Sequence, residues 1–236
     1  MKRSIVWTGA AAALALAGFT TAHAAMEDDP LLMKLFVDKL EYRAGNESPF
    51  VWDTDLWIGK DLNKLWLKTA GEVNEGTVED ADVQALYSRA IAPYWDAQAG
   101  WRHDFGTEED RDWFTVRLQG LAPYFFEVDT GLFVGDRGNI GFDFEAEYEI
   151  LFTQKLILSP NIELAAYTLT DEPMGRGSGL SDLELGLRLR YEIRREFAPY
   201  LGVNWYKLFG GTADFAEAEG GETDGFQFVA GLRVWY

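Results

Sequence analysis

The sequence predicts an all-β chain, an antiparallel transmembrane β-barrel of about twelve strands with short periplasmic turns and longer outer loops. Three observations carry this. The chain opens on an export leader. Its remainder alternates apolar and polar residues with period two, in segments of about 10 residues, the length of a tilted membrane strand. The connections between segments alternate between tight and long, the asymmetry of a bacterial outer-membrane barrel.

Lys2 and Arg3 form a basic start, and Ser4 to Thr21 is apolar or small. Ala22-His23-Ala24 is a small-x-small cleavage site, followed by acidic Glu27, Asp28 and Asp29. This is a secretory signal peptide over 1–24 rather than a spanning helix. The barrel then occupies 25–236, with the outer membrane as its destination. The net charge of −18 becomes −20 when Lys2 and Arg3 leave with the leader. So acidic a chain lacks the basic face that nucleic acid needs. The chain has no Cys, which excludes a disulfide framework, a thiolate metal site and a Cys nucleophile. Its 9 Trp, 10 Tyr and 16 Phe argue against a disordered acidic chain.

The strands are expected in order near 33–43, 50–59, 63–74, 81–91, 95–104, 112–121, 124–135, 140–152, 156–169, 182–193, 197–209 and 226–236. The first two alternate poorly. The clearest is Ile140 to Phe152. Ile140, Phe142, Phe144, Ala146, Tyr148, Ile150 and Phe152 share one face, and Asp143, Glu145, Glu147 and Glu149 share the other. In the tenth segment Leu183, Leu185, Leu187, Leu189, Tyr191 and Ile193 alternate with a charged face. Tight turns fall near 59–62, 91–93, 121–123, 153–155 and 194–197. Longer connections fall at 44–49, 75–80, 105–111, 136–139, 170–179 and 210–224. The triplet Ala-Pro-Tyr recurs at 92–94, 122–124 and 198–200. Each copy is expected at a tight turn, with its Tyr in the periplasmic aromatic girdle. The last strand ends on Trp235 and Tyr236, the pattern of an outer-membrane assembly signal.

The apolar face meets outer-membrane lipid, so the charged face lines the lumen. Asp143, Glu145, Glu147 and Glu149 form a column there, joined by Asp53, Asp55, Asp96, Asp104, Asp182 and Glu184. Lys64, Lys68, Arg102, Arg117, Arg188 and Arg190 also point inward, so a mixed lumen with mutually satisfied charges is expected. The excess of acid concentrates cations. Oxygen ligands suit hard cations; the thioethers beyond the leader are Met26 and Met33, near the periplasmic mouth, and Met174 in a loop, and the first two could pass Cu(I). The candidate metal ligands are therefore Met26, Met33, Asp143, Glu145, Glu147 and Glu149. His103 is read as an interface residue on the outward face beside Trp101 and Phe105. It follows that His103 and Asp104 point to opposite faces. No G-x-S-x-G stands in the chain, and no enzyme is expected.

Several blocks resemble the copper resistance protein B family. They include Tyr94-Trp95-Asp96-Ala97-Gln98-Ala99-Gly100, Phe152-Thr153-Gln154-Lys155-Leu156-Ile157-Leu158, Gly186-Leu187-Arg188-Leu189-Arg190-Tyr191-Glu192, Arg195-Glu196-Phe197-Ala198-Pro199-Tyr200 and Phe228-Val229-Ala230-Gly231-Leu232-Arg233. They run through the chain in the family's order. The resemblance implies an outer-membrane barrel in copper resistance and homeostasis, with copper ions as cargo or ligand and periplasmic copper-binding proteins as partners. Members often carry a Met- and His-rich segment before the barrel; here only Ala25 to Leu32 precedes the first expected strand. That favours transport or partner docking over storage. The alternative is a general cation-preferring pore without metal specificity.

Overall fold

The computed structural model describes residues 29–45, 48–74, 76–106 and 109–236. The expected leader and cleavage site (1–24) and Met26 lie outside the described residues. The strands are β1 (Leu32–Ala44), β2 (Phe50–Gly59), β3 (Asn63–Asn74), β4 (Thr77–Ala92), β5 (Trp95–Phe105), β6 (Arg111–Ala122) and β7 (Phe126–Gly135). Then come β8 (Ile140–Glu147), β9 (Ile150–Leu151), β10 (Leu156–Tyr167), β11 (Gly179–Tyr191), β12 (Phe197–Leu208) and β13 (Asp224–Trp235). β8 and β9 are one strand of the wall, interrupted at Tyr148 and Glu149, and both pair with β10. The wall therefore counts twelve strands. Neighbours in sequence pair antiparallel throughout, and β1 pairs with β13 to close the barrel. At that seam Leu35 and Tyr236 exchange both backbone hydrogen bonds at 2.8 Å.

Burial is inverted relative to a water-soluble protein. Along β11, Leu187 and Leu189 are each 41% exposed, whereas Arg188 and Arg190 are 6% and 7% exposed. On β6, Arg111, Trp113, Thr115 and Arg117 are buried while Phe114, Val116 and Leu118 face outward. Leucines facing out and arginines facing in make sense when the surroundings are hydrocarbon and the interior is polar. Exposed aromatics gather at both ends. Tyr94, Tyr124, Phe152 and Phe197 mark the end with tight turns, and Tyr42, Phe50, Trp101, Phe105 and Phe226 mark the end with loops.

Four expectations change. The connection near 75–80 is short, because β4 starts at Thr77 behind Gly76, which takes φ 83°. The stretch 210–224 is not all loop; it carries a helix, α1 (Gly210–Glu219), stopped by left-handed Gly220. The strand 140–152 breaks at 148–149 opposite Pro160, which has no N–H to give the ladder. The third Ala-Pro-Tyr lies inside β12 rather than at a turn. Pro199 is tolerated there because the pairing with β11 ends at Arg190 and Tyr200. Tyr94 and Tyr124 sit in turns with left-handed φ of 68° and 67°, as exposed aromatics at the rim. Tyr200 instead turns into the lumen, its ring laid across Gly231.

The apolar cluster lies inside the barrel, toward the loop end. Trp113, Phe133 and Tyr167 pack there, with Trp113 and Phe133 centroids 5.3 Å apart and edge-on. Phe133 is fully buried because its ring lies over Gly141, its partner on β8. A Cβ on Gly141 would overlap that ring. Gly141→Ala is expected to cost about 1–3 kcal/mol by overpacking, read as a lower unfolding midpoint in detergent. An unchanged midpoint would mean that the Phe133 ring moves aside freely.

Candidate functional site

The inward faces of the strands build a charged lumen around a cavity of about 660 Å³. Fourteen carboxylate residues and eight Lys or Arg residues line it. Most of the bases are engaged with partners on strands that are not their neighbours, so the ion pairs cross the lumen.

The acids of β8, with Glu149 in the break that follows it, form the expected column, and each meets a base. Asp143 accepts hydrogen bonds from Arg117 at 2.7 Å and Arg102 at 3.3 Å. Glu145 accepts one from Lys39 at 3.3 Å. Glu147 lies 3.6 Å from Arg233. Glu149 pairs with Arg190 and lies 3.7 Å from Arg233. Among the described residues, no group of three or more His, Asp or Glu is set to hold a metal ion.

Lys39 reaches these acids because β1 carries an irregularity. Its register against β2 shifts between Val37 and Lys39, so Asp38 and Lys39 both face the cavity. Asp38 takes Arg233 at 2.9 Å. The Lys39 ammonium spans the lumen to Glu163 at 2.6 Å, with Asp53 at 3.9 Å. Two residues on, Glu41 is fully buried. It accepts hydrogen bonds from Arg43 at 2.8 Å, from two nitrogens of Arg188 at 2.8 and 2.9 Å, and from the Tyr200 hydroxyl at 3.0 Å. On the opposite wall Lys68 reaches Asp129 at 2.8 Å and lies 3.7 Å from Asp55, while Lys64 binds Asp96 at 2.8 Å.

The six bases placed inside by periodicity are inside. Lys39, Arg43, Arg233, Glu41, Glu163 and Asp129 were missed. For β1 the signal was present, since Lys39, Glu41 and Arg43 alternate with Leu40 and Tyr42. The bulge before them shifts the frame and hides it.

Met33 lies at the turn end of β1, where the sequence puts it, on the outer face rather than in the lumen. It faces outward across from Ile58 and is 59% exposed, next to the turn end. Met33→Leu should therefore leave the unfolding midpoint in detergent unchanged, because it keeps an apolar side chain against lipid. A lowered midpoint would mean that the thioether makes a contact leucine cannot replace. His103 lies on the outward face as expected, stacked on Trp101 at 5.5 Å and edge-on to Phe105 at 4.6 Å. Its Nδ1 is 2.9 Å from Asp112, which also accepts the Trp101 indole N–H at 2.8 Å.

At the loop end Asp171 accepts two hydrogen bonds from Arg111, both 2.7 Å. These bonds hold the Asp171 carboxyl below the usual aspartate range. The pair is thus intact above an ordinary aspartate pKa of about 3.9 and lost only as pH falls through the lowered value.

The family model described as Copper resistance protein B precursor matches residues 31–236. Copper resistance protein B of Escherichia coli is 45% identical over 213 residues, covering 90% of this chain and 72% of that protein. Copper resistance protein B homolog of Pseudomonas syringae pv. tomato (strain ATCC BAA-871 / DC3000) is 42% identical over 210 residues, covering 88% and 71%. In fold the chain is similar to the NanC porin, with a TM-score of 0.51 at 12% identity over 86% of this chain and 99% of that one. It is also similar to the KdgM porin, with a TM-score of 0.50 at 10% identity over 85% and 98%. A precursor family, a porin-like closed barrel and an apolar outer face ringed by aromatics describe an exported outer-membrane protein. The chain belongs to the copper resistance protein B family.

Proposed function

We propose that this barrel passes copper ions across the outer membrane or hands them to periplasmic copper-binding proteins, after residues 1–24 have been removed on export. The observation that carries this reading is the lumen's surplus of carboxylates, fourteen residues against eight bases, in a member of a copper resistance family. The surplus draws cations in and repels anions. Asp143, Glu145, Glu147 and Glu149 supply the path, as oxygen donors paired with the lumen's own Lys and Arg side chains. Met26 and Met33 are the thioethers nearest the periplasmic end in sequence, and both are candidates for copper hand-over there. The reading involves no covalent chemistry on a substrate and no enzyme.

The test is a strain lacking the protein, with and without the intact gene supplied back. Copper tolerance that changes and returns on complementation supports the copper role, and the sign of the change in cell copper gives the direction of passage. No change in either quantity removes it. One observation favours a second reading. The lumen's charged donors are carboxylates, which do not by themselves select a soft metal. A general cation-preferring pore would then show similar conductance in sodium and copper salts and no copper phenotype.

A further inference from the structure

The loop between β10 and β11 folds back on itself at the outer mouth. The Asp171 N–H donates to the Arg176 carbonyl at 2.8 Å and the Arg176 N–H to the Asp171 carbonyl at 3.1 Å, around a short turn over Glu172–Met174. Three anchors hold this turn from different elements. Arg111 on β6 grips the Asp171 carboxylate with two nitrogens. Asn139, in the β7–β8 connection, accepts the Leu169 N–H at 3.1 Å. Thr212 on α1 accepts the Gly177 N–H at 2.8 Å, and its hydroxyl lies 2.9 Å from that of Ser181.

Held in this way, the loop sends Arg176 down into the barrel. Its guanidinium donates to Asp104 at 2.5 Å and to Asp80 at 3.2 Å, and it lies over the Tyr167 ring at 5.1 Å. Arg176 is 7% exposed and Asp104 is fully buried. Below it, Arg102 lies over Phe133 at 4.7 Å and also binds Asp104. A surface loop gains little by burying a guanidinium, because the desolvation cost is large. A fixed cation among the carboxylates of a pore mouth repels incoming cations.

We propose that Arg176 is the gate residue of the outer mouth: the anchored loop 168–178 holds its guanidinium on Asp80 and Asp104, and a cation enters by displacing it. This rests on the reading of the lumen as a cation path. The three anchors hold the loop in place, so the gate is the side chain rather than the whole loop. Asp171, on the loop's own latch, sets how firmly Arg176 is presented.

The experiment is single-channel recording of the mature barrel in planar bilayers in potassium chloride, on wild type, Arg176→Ala, Arg176→Lys and Asp171→Asn. Folding is checked by heat-shifted gel mobility. Arg176→Ala is expected to raise conductance at least about twofold and to favour potassium over chloride. Arg176→Lys falls between, and Asp171→Asn flickers between the two levels. A folded Arg176→Ala with wild-type conductance and selectivity overturns the gate. Should that variant fail to fold, Asp171→Asn decides, and steady wild-type conductance overturns it. Absence of conductance in every variant also overturns it. The recordings contain no copper, so a raised conductance in Arg176→Ala beside an unchanged copper phenotype of the deletion strain keeps the gate and removes the copper reading.

Discussion

Glu41→Ala is expected to cost about 3–5 kcal/mol of barrel stability, the largest loss from a single side chain in the lumen. The carboxylate is fully buried and takes hydrogen bonds from Arg43, Arg188 and Tyr200. Removing it leaves two guanidiniums facing each other without a shared counter-charge. Their other partners are already engaged. Arg43 holds Glu184 at 2.9 Å, and Arg188 holds the Asn161 side-chain oxygen at 2.6 Å. Of the strands in the knot, β1 forms one side of the closing seam and β12 lies next to β13 on the other, with β11 beyond it, so the loss falls near where the barrel is joined. Urea unfolding in detergent, followed by gel mobility, measures it. Glu41→Gln keeps an acceptor and should lose less. A loss below about 1 kcal/mol in Glu41→Ala, the worth of an exposed pair, would mean that water replaces the carboxylate at no cost.

Lys39→Met should make the pore distinctly more cation-selective. Its ammonium stands among Glu163, Glu145 and Asp53, on a line between the two walls. Two unit charges 4 Å apart at an effective dielectric of 20 interact by about 4 kcal/mol. Deleting the ammonium therefore strips three carboxylates of their nearest positive charge. The lining then carries one more uncompensated negative charge at mid-lumen. The reversal potential under a potassium chloride gradient should shift toward the potassium limit, with the permeability ratio rising roughly severalfold. An unchanged reversal potential would place the ion path away from Lys39.

Much of this is legible in the sequence. Period two over 140–147 and 183–191 gives both faces, because a strand between lipid and water cannot mix them; beyond the break at 148–149 the alternation fails, and Ile150, Leu151 and Phe152 are all exposed. The acidic column followed from the same alternation. Its partners did not, since Lys39 and Arg233 lie far from β8 in sequence and meet it only when the sheet closes. No local pattern records which residues face each other across a closed barrel. The helix α1 was missed for another reason. Ala213 to Glu219 are mostly good helix formers, but they show no apolar stripe, so periodicity does not reveal them. Arg176 sits in a stretch that composition marks as loop, and loops are read as solvent-exposed. Its burial depends on anchors from β6, the β7–β8 connection and α1, which sequence distance conceals.

The seam between β1 and β13 also sets an order in time. The first strand's hydrogen-bonding partner is the last strand, and Leu35 completes its pair only with Tyr236. Until those final residues are available, the nascent sheet carries two open edges that would pair with any other extended chain. The wall cannot be completed vectorially as the polypeptide emerges. A chain shortened by its last strand keeps the interior charges and the greasy exterior but has no means of joining its ends. Such a fragment stays a client of holding chaperones and a target of proteolysis rather than a smaller pore.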